Sequence, residues 1–210
     1  MTKKQVKRGL RIIVAVGGLL GLVSSAVWAN DLPKAGTWSL GMQSGYTISA
    51  DSGSRKIEKV PVHLRIGYTA FQGSKWFLPK GSLEIATEPF GSIITQKSQG
   101  RALERRKGSF EVGLMLPVLT YHFDLGIPFY PYIEGGLGVM YHNLRGYDLG
   151  GGLNFAEMVG GGGTYFIDDN LAINFGYRFR HASNASLYDE NRGLNTHTFT
   201  AGFSYLLPAQ

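Results

Sequence analysis

From Val60 to Ala70 the chain alternates without a break: Val60, Val62, Leu64, Ile66, Tyr68 and Ala70 have one parity, and His63, Arg65 and Thr69 have the other. A period of two is the strand period, because successive side chains of an extended chain point to opposite faces. The pattern returns near the C-terminus, where Leu171, Ile173, Phe175, Tyr177 and Phe179 oppose Asn174, Arg178 and Arg180. Large apolar groups on one face and full charges on the other require different surroundings on the two sides of one sheet. Eight such segments, bounded by turn residues, are predicted at roughly 36–49, 57–71, 80–94, 108–123, 128–142, 150–167, 171–184 and 194–206. An even number of antiparallel strands closes with both termini on one side.

The N-terminus says where such strands go. Lys3, Lys4, Lys7, Arg8 and Arg11 precede an apolar run from Ile12 to Val23, and small residues lead to Val27-Trp28-Ala29. That run is shorter than the roughly 20 residues a spanning helix needs, and its order is that of a cleaved secretory signal. The expected division is a signal peptide over 1–29 and a barrel domain over 30–210. Taking the signal's five cations from the total of 21 leaves 16 against 15 acidic residues, so the basic character of the whole chain is confined to the signal and no nucleic-acid footprint remains. Cysteine is absent, which excludes disulfides and thiolate metal sites. No later apolar stretch is long enough for a spanning helix, so membrane insertion would have to use strands. The expected fold is all-β, an eight-stranded antiparallel transmembrane β-barrel of the bacterial outer membrane. A soluble β-sandwich or an unrelated small barrel shares the alternation and is the alternative on pattern alone.

In a barrel the apolar faces meet lipid and the polar faces fill the interior, where Gln43, Glu84, Glu88, Glu111 and Glu134 are expected beside the inward Arg and His. Eight strands leave an interior filled by side chains, which disfavours transport. Tight turns are expected at Gln72–Lys75, Asp124–Gly126 and Asp168–Asn170, and longer outer loops at 50–56, 95–107, 143–149 and 185–193. Pro61, Pro117 and Pro131 fall inside strands and are read as marking bulges. Tyr130, Tyr132, Tyr141, Trp76 and Phe77 are read as interfacial girdle residues.

The segment with most chemical content is Gly176 to Ala185, which closes a strand with His181 and Ser183 two residues apart on one face. Both share parity with Phe175, Tyr177 and Phe179, which puts them on the lipid side. Here the run His181-x-Ser183-Asn184-Ala185, preceded by Gly176-Tyr177-Arg178 and followed by Asn191-x-Gly193-Leu194-Asn195, resembles the PagL-type lipid A 3-O-deacylases and their acyloxyacyl hydrolase relatives. The likeness extends to Tyr130-Pro131-Tyr132-Ile133-Glu134-Gly135-Gly136-Leu137-Gly138 and the glycine-rich sixth strand.

The resemblance implies a lipid A 3-O-deacylase, a serine esterase working at the outer wall on lipopolysaccharide in the outer leaflet. Ser183 would be the nucleophile, His181 the general base and Asn184 an organiser of the oxyanion hole, with no cofactor or metal. The chemistry is coherent: a hydroxyl needs a base to take its proton, and a developing oxyanion needs aimed N–H donors. One departure matters, because the family places a Glu where this chain has Asn195, and an amide orients an imidazole without stabilising its charged form. Pairing Ile167 with Leu171 across the Asp168–Asn170 turn, and counting ten residues up both strands, puts Glu157 opposite His181 on the lipid-facing parity. Glu157 is therefore a second candidate partner; a bulge turning it inward is the alternative.

The loop cations Arg101, Arg105 and Arg106 suit lipopolysaccharide phosphates, or equally a solvated loop. His63, His122, His142 and His197 lack metal-ligand spacing and are read as hydrogen-bonding residues of the interior or interface. Gly160–Gly163 is read as close packing rather than a phosphate loop, and Asp168-Asp169-Asn170 as a turn rather than a calcium site. A catalytically inactive structural or adhesion barrel of the OmpA or OmpW kind is the alternative function, and the sequence leaves a homodimer open.

Overall fold

The computed structural model describes residues 32–50, 55–99, 102–103, 109–144, 152–189, 191 and 193–207, so the expected signal peptide over 1–29 lies outside the described residues. Eight long strands form the wall: β1 (Trp38–Ser49), β2 (Arg55–Lys75), β3 (Leu78–Gln99), β5 (Phe110–Phe123), β6 (Phe129–His142), β7 (Leu153–Phe166), β8 (Leu171–Ser183) and β9 (Leu194–Leu206). A two-residue strand, β4 (Ala102–Leu103), folds back on the end of β3. Every neighbouring pair is antiparallel, β1 joins β9, and the additional β2–β3 pairing completes a closed barrel. Closure satisfies the ladder on both sides of each strand, as a sheet surrounded by lipid requires.

Side-chain parity sorts as the sequence predicts. Val62, Leu64 and Ile66 face outward, while His63 and Arg65 are each 7% exposed. Among the described residues the interior is an ion-pair network with four cations and four carboxylates: Lys59, Arg65, Arg178 and Arg180 against Glu84, Glu88, Glu111 and Glu134. Arg178 bridges Glu88 and Glu134, with Nε 2.7 Å from Glu134 Oε1. Arg65 spans Glu84 at 2.7 Å and Glu88 at 3.2 Å. Glu111 takes Lys59 at 2.6 Å and Arg180 at 2.7 Å. Apolar clusters close both ends, with Leu32, Tyr130, Phe166, Ala172 and Leu206 at the short-turn end and Ile57, Ile94, Leu144 and Leu194 at the other. Between them, among the described residues, two internal cavities measure about 40 and 20 Å³, each far below what a channel needs.

The glycines of β7 serve this packing. Gly162 pairs with Gly176, and a Cβ on either would lie within 2.7 Å of the Tyr132 hydroxyl, whose O–H donates to the Phe175 carbonyl. Tyr132 and Tyr130 are therefore interior residues rather than girdle residues, since the even positions of β6 point inward with Glu134. Tyr141 does face outward.

Three other expectations change. Gln72–Lys75 is strand: Gly73, at φ +134°, sits in an irregular stretch of β2, and the turn is Trp76-Phe77, with Trp76 95% exposed at its tip. The segment 95–99, expected as loop, continues β3 against β2. Of the prolines, Pro117 alone lies at a register shift. Between Met115 and Val118 three steps of β5 oppose two of β6, which inverts the parity so that both Glu111 and Thr120 point inward. Pro61 keeps register because the β1–β2 ladder lapses between Lys59 and Val62, and Pro131 because the β5–β6 ladder ends at Tyr132. The other tight turns are as expected. Asp168 Oδ1 accepts the N–H groups of Asn170 and Leu171. Asp124 is bound by Lys80 at 2.8 Å and by the N–H of Gly126, which hold its carboxyl below the usual range.

Removing one partner of a buried ion pair leaves an uncompensated charge, costing about 3–5 kcal/mol. Arg178→Met, which strips a cation from both Glu88 and Glu134, is expected to lower barrel stability by that order in urea titrations read by heat-modifiable gel mobility.

Candidate functional site

β8 rises from the Asp168 turn, and its odd positions face outward, so His181 and Ser183 stand on the lipid-facing wall near the long-loop end. Ten residues separate Leu171 from His181, a climb of about 23 Å at ~3.3 Å per residue and ~45° tilt. Both neighbouring strands contribute to that level: His181 pairs with Asn195 on β9 and with Glu157 on β7. The counted register was therefore correct, and Glu157 faces outward without a bulge. The Asn195 contact is direct, Oδ1 lying 2.7 Å from His181 Nδ1. An amide oxygen only accepts, so Nδ1 carries the proton in this bond and Nε2 is left as the basic nitrogen.

The segment after Ser183 is held by the side chains of Asn184 and Asn191 together with one backbone bond. Asn184 is fully buried; its N–H donates to Asn191 Oδ1 at 2.9 Å, its Oδ1 accepts the N–H of Ser186, and its carbonyl accepts that of Leu187. The chain bends there through Ala185 and Ser186, both at positive φ, 49° and 65°. For non-glycine residues that is a costly conformation, met most often where a site is being shaped. Gly193, at φ +71°, lies against the imidazole: a Cβ there would be 2.7 Å from His181 Cε1. Asn191 and Gly193 belong to the resemblance without a role legible in the sequence; in the structure Asn191 Oδ1 accepts the Asn184 N–H and Gly193 leaves the space beside the His181 ring.

A second feature was not legible beforehand. From the edge where Glu157 and His181 stand, an open trough of about 780 Å³ crosses the outer wall. Its sides are Phe179, Val159, Leu137, Ile133, Leu119 and Leu83, and its floor includes Gly135 and Gly136. Gly135 occupies an outward position with no side chain, and the Pro117 bulge lies beside it. The trough therefore follows from a missing side chain and a local irregularity, neither of which alternation reveals. Its path from β8 to β3 crosses four strand spacings, about 19 Å at ~4.8 Å each.

Not all candidates gather here. Arg101, Arg105 and Arg106 lie outside the described residues. His63, His122 and His142 are inside the barrel, bonded to Glu88, Thr164 and Asn154. Among the described residues no three acidic or histidine side chains form a metal-binding group.

The family model for lipid A 3-O-deacylase (PagL) matches residues 59–204, which contain every element of this site. The chain belongs to the lipid A 3-O-deacylase family. Its activity class is accordingly that of a lipid A deacylase, and its place is the bacterial outer membrane. Among solved structures, the outer membrane enzyme PagL is similar at 22% identity, with a TM-score of 0.51 over 78% of this chain and 97% of that one. Neisserial surface protein A is similar at 15% identity, with a TM-score of 0.58 over 80% and 96%. Likeness at these identities shows the barrel. A search of curated proteins returned no match.

Because the space beside His181 exists only while residue 193 lacks a Cβ, Gly193→Ala is expected to displace the ring. Misplacement by about 1 Å costs roughly 100-fold. The variant's deacylation of lipid A should fall by that order while its gel mobility remains that of a folded barrel.

Proposed function

We propose that this protein is a serine-type lipid A 3-O-deacylase acting on the outer wall of its barrel, in the outer leaflet. The observation that carries this is the outward His181, bound through Nδ1 to Asn195 with Ser183 on the same face and an apolar trough at its side. A passive barrel has no use for a tautomer-fixed imidazole at the head of a lipid-sized trough.

Ser183 Oγ attacks the ester carbonyl carbon as His181 Nε2 takes its proton. The oxyanion forms beside the loop that follows Ser183, whose shape Asn184 organises through its bonds to Asn191, Ser186 and Leu187. When the intermediate collapses, the protonated His181 delivers its proton to the departing sugar oxygen, leaving an acyl-Ser183. Water, activated by the same nitrogen, then releases the fatty acid and restores Ser183.

Two side chains share the work of the family's Glu. Asn195 orients the ring, because it already holds Nδ1. Glu157, the outward partner on β7, supplies negative charge that stabilises the imidazolium. A carboxylate on the lipid wall would be a cost without such a use. Arg101, Arg105 and Arg106 are proposed as contacts for substrate phosphates.

Ser183→Ala and His181→Ala should each abolish fatty acid release from purified lipid A, and the double variant should be no worse than either. Turnover at the wild-type rate in either would remove the assignment. Glu157→Gln should lower kcat and Asn195→Glu raise it; unchanged kcat in Glu157→Gln would leave Asn195 the sole partner of the histidine.

The trough gives an independent test. A Cβ at Gly135 meets nothing closer than 3.6 Å, so a larger residue is tolerated there. Gly135→Phe should raise KM for long-chain esters and leave a short-chain ester unaffected; equal kinetics on both would show that the acyl chain lies elsewhere.

A further inference from the structure

Residues 32–37, ahead of β1, lie across the short-turn mouth of the barrel. Their backbone is fastened to β2. The Leu32 carbonyl accepts Gln72 Nε2 at 3.0 Å, the Gly36 N–H donates to the Thr69 carbonyl at 2.8 Å, and the Thr69 N–H donates to the Thr37 carbonyl at 2.9 Å. The Leu32 side chain goes the other way. It is 2% exposed and joins the cluster of Tyr130, Phe166, Ala172 and Leu206, of which Phe166 stands on β7. In the closed order β2-β1-β9-β8-β7-β6-β5-β3, β7 is four steps from β2 in either direction, which makes it the opposite wall. A segment bonded to one wall, with its side chain among residues of the other, spans the opening.

Behind it lies the larger of the internal cavities, about 40 Å³, with Leu32 and Pro33 on its boundary. The rest of the lining is largely polar and includes Gln43, Glu84, Thr120, His122, Asn174 and Ser204. Gln43 is 6% exposed, and its side-chain oxygen has no hydrogen-bond partner among the described residues. A buried acceptor left without a bond is costly. Water can occupy a cavity of roughly 15 Å³ or more when two or more polar groups line it. This chamber meets both conditions, and its cap is apolar on the side that faces the aqueous end of the barrel.

The fastening differs along the segment. At 34–37 the chain turns, with the Thr37 N–H donating to the Lys34 carbonyl at 3.0 Å and Gly36 at φ +94°, a conformation that glycine adopts freely. Ahead of that turn, burial of Leu32 and the Gln72 bond hold the chain against the barrel. We propose that residues 32–37 are a strap, turning at Gly36, that closes the short-turn mouth over a water-binding chamber at Gln43, with Leu32 as the side chain that keeps it shut. This end of the barrel takes no part in the chemistry proposed for His181 and Ser183.

The chain has no cysteine, so Ser39→Cys places a sole thiol in the chamber lining, at a position 5% exposed. The test follows modification of that thiol by methyl methanethiosulfonate in the full barrel in detergent micelles, with folding checked by gel mobility. In the Ser39→Cys parent the reaction should be slow. Adding Leu32→Ala should speed it about tenfold or more, because most of the apolar burial that holds the strap is lost. Leu32→Met, which keeps that burial, should stay at the parent rate, and Leu32→Val, a milder truncation, should fall between and serve where the alanine variant does not fold. Rates that do not differ among these chains, whether all slow or all fast, would overturn the strap. The water-binding half has its own readout, the urea midpoint of Gln43→Met in the wild-type chain. A hydrated chamber loses a bond to its water, so the midpoint should fall; an unchanged or higher midpoint would show a dry cavity relieved of an unpaired acceptor and overturn that half.

Discussion

In hydrocarbon an unpaired backbone N–H or C=O costs several kcal/mol, and a sheet escapes that cost by closing on itself. Here the β2–β3 ladder performs the closure, and the rest of the molecule depends on it. Once the wall is closed, every residue faces either lipid or a narrow interior, and parity alone decides which. The interior then has to be neutral and hydrogen-bonded within itself, because it has neither room for bulk water nor a route for exchanging side chains outward. Four cations against four carboxylates, with Arg178 and Glu88 at the centre, meet that demand.

The same closure creates the opportunity for a site. A group on the outward parity lies against the acyl chains, so a polar residue there is exceptional and calls for a partner. His181 has Asn195, and His197 has Tyr177. The inward His63 and His122, of the same residue type, are absorbed by Glu88 and Thr164 and serve the fill. Position relative to the wall, rather than the imidazole itself, separates the histidines with chemical potential from those that pack.

That logic also explains what the sequence made legible. Strand number, most strand bounds and the inward or outward sense of His181, Ser183, Arg178 and Glu88 follow from a period of two and were readable. The β7–β8 register was readable because the Asp168 turn is short and caps itself, fixing Glu157 opposite His181 ten residues away. What escaped were departures from the period and consequences of missing atoms. The Pro117 bulge inverts the parity of β5, the register of β2 shifts between Gly73 and Lys75 with the turn at Trp76-Phe77, and the inward Tyr132, on the parity of Glu134, fits because Gly162 and Gly176 beside it carry no side chain. The trough belongs to the same class, since its floor is an outward position occupied by Gly135.

On the proposed reading, the partners of His181 divide one catalytic function between two strands of the closed sheet. A carboxylate on Nδ1 would both orient the ring and stabilise its charged form. With Asn195 on β9 at that nitrogen, orientation is retained and the charge must come from elsewhere. The strand on the other side of β8 offers the next position in the same belt, and Glu157 occupies it on the outward parity. Water is scarce on that face, so a charge on the neighbouring strand acts with less screening than it would in solvent. Asn195 and Glu157 hold their places independently, because each is fixed to β8 by its own ladder. On the proposed reading, losing one therefore removes orientation or charge but not both, and the two substitutions separate terms that a single carboxylate would combine.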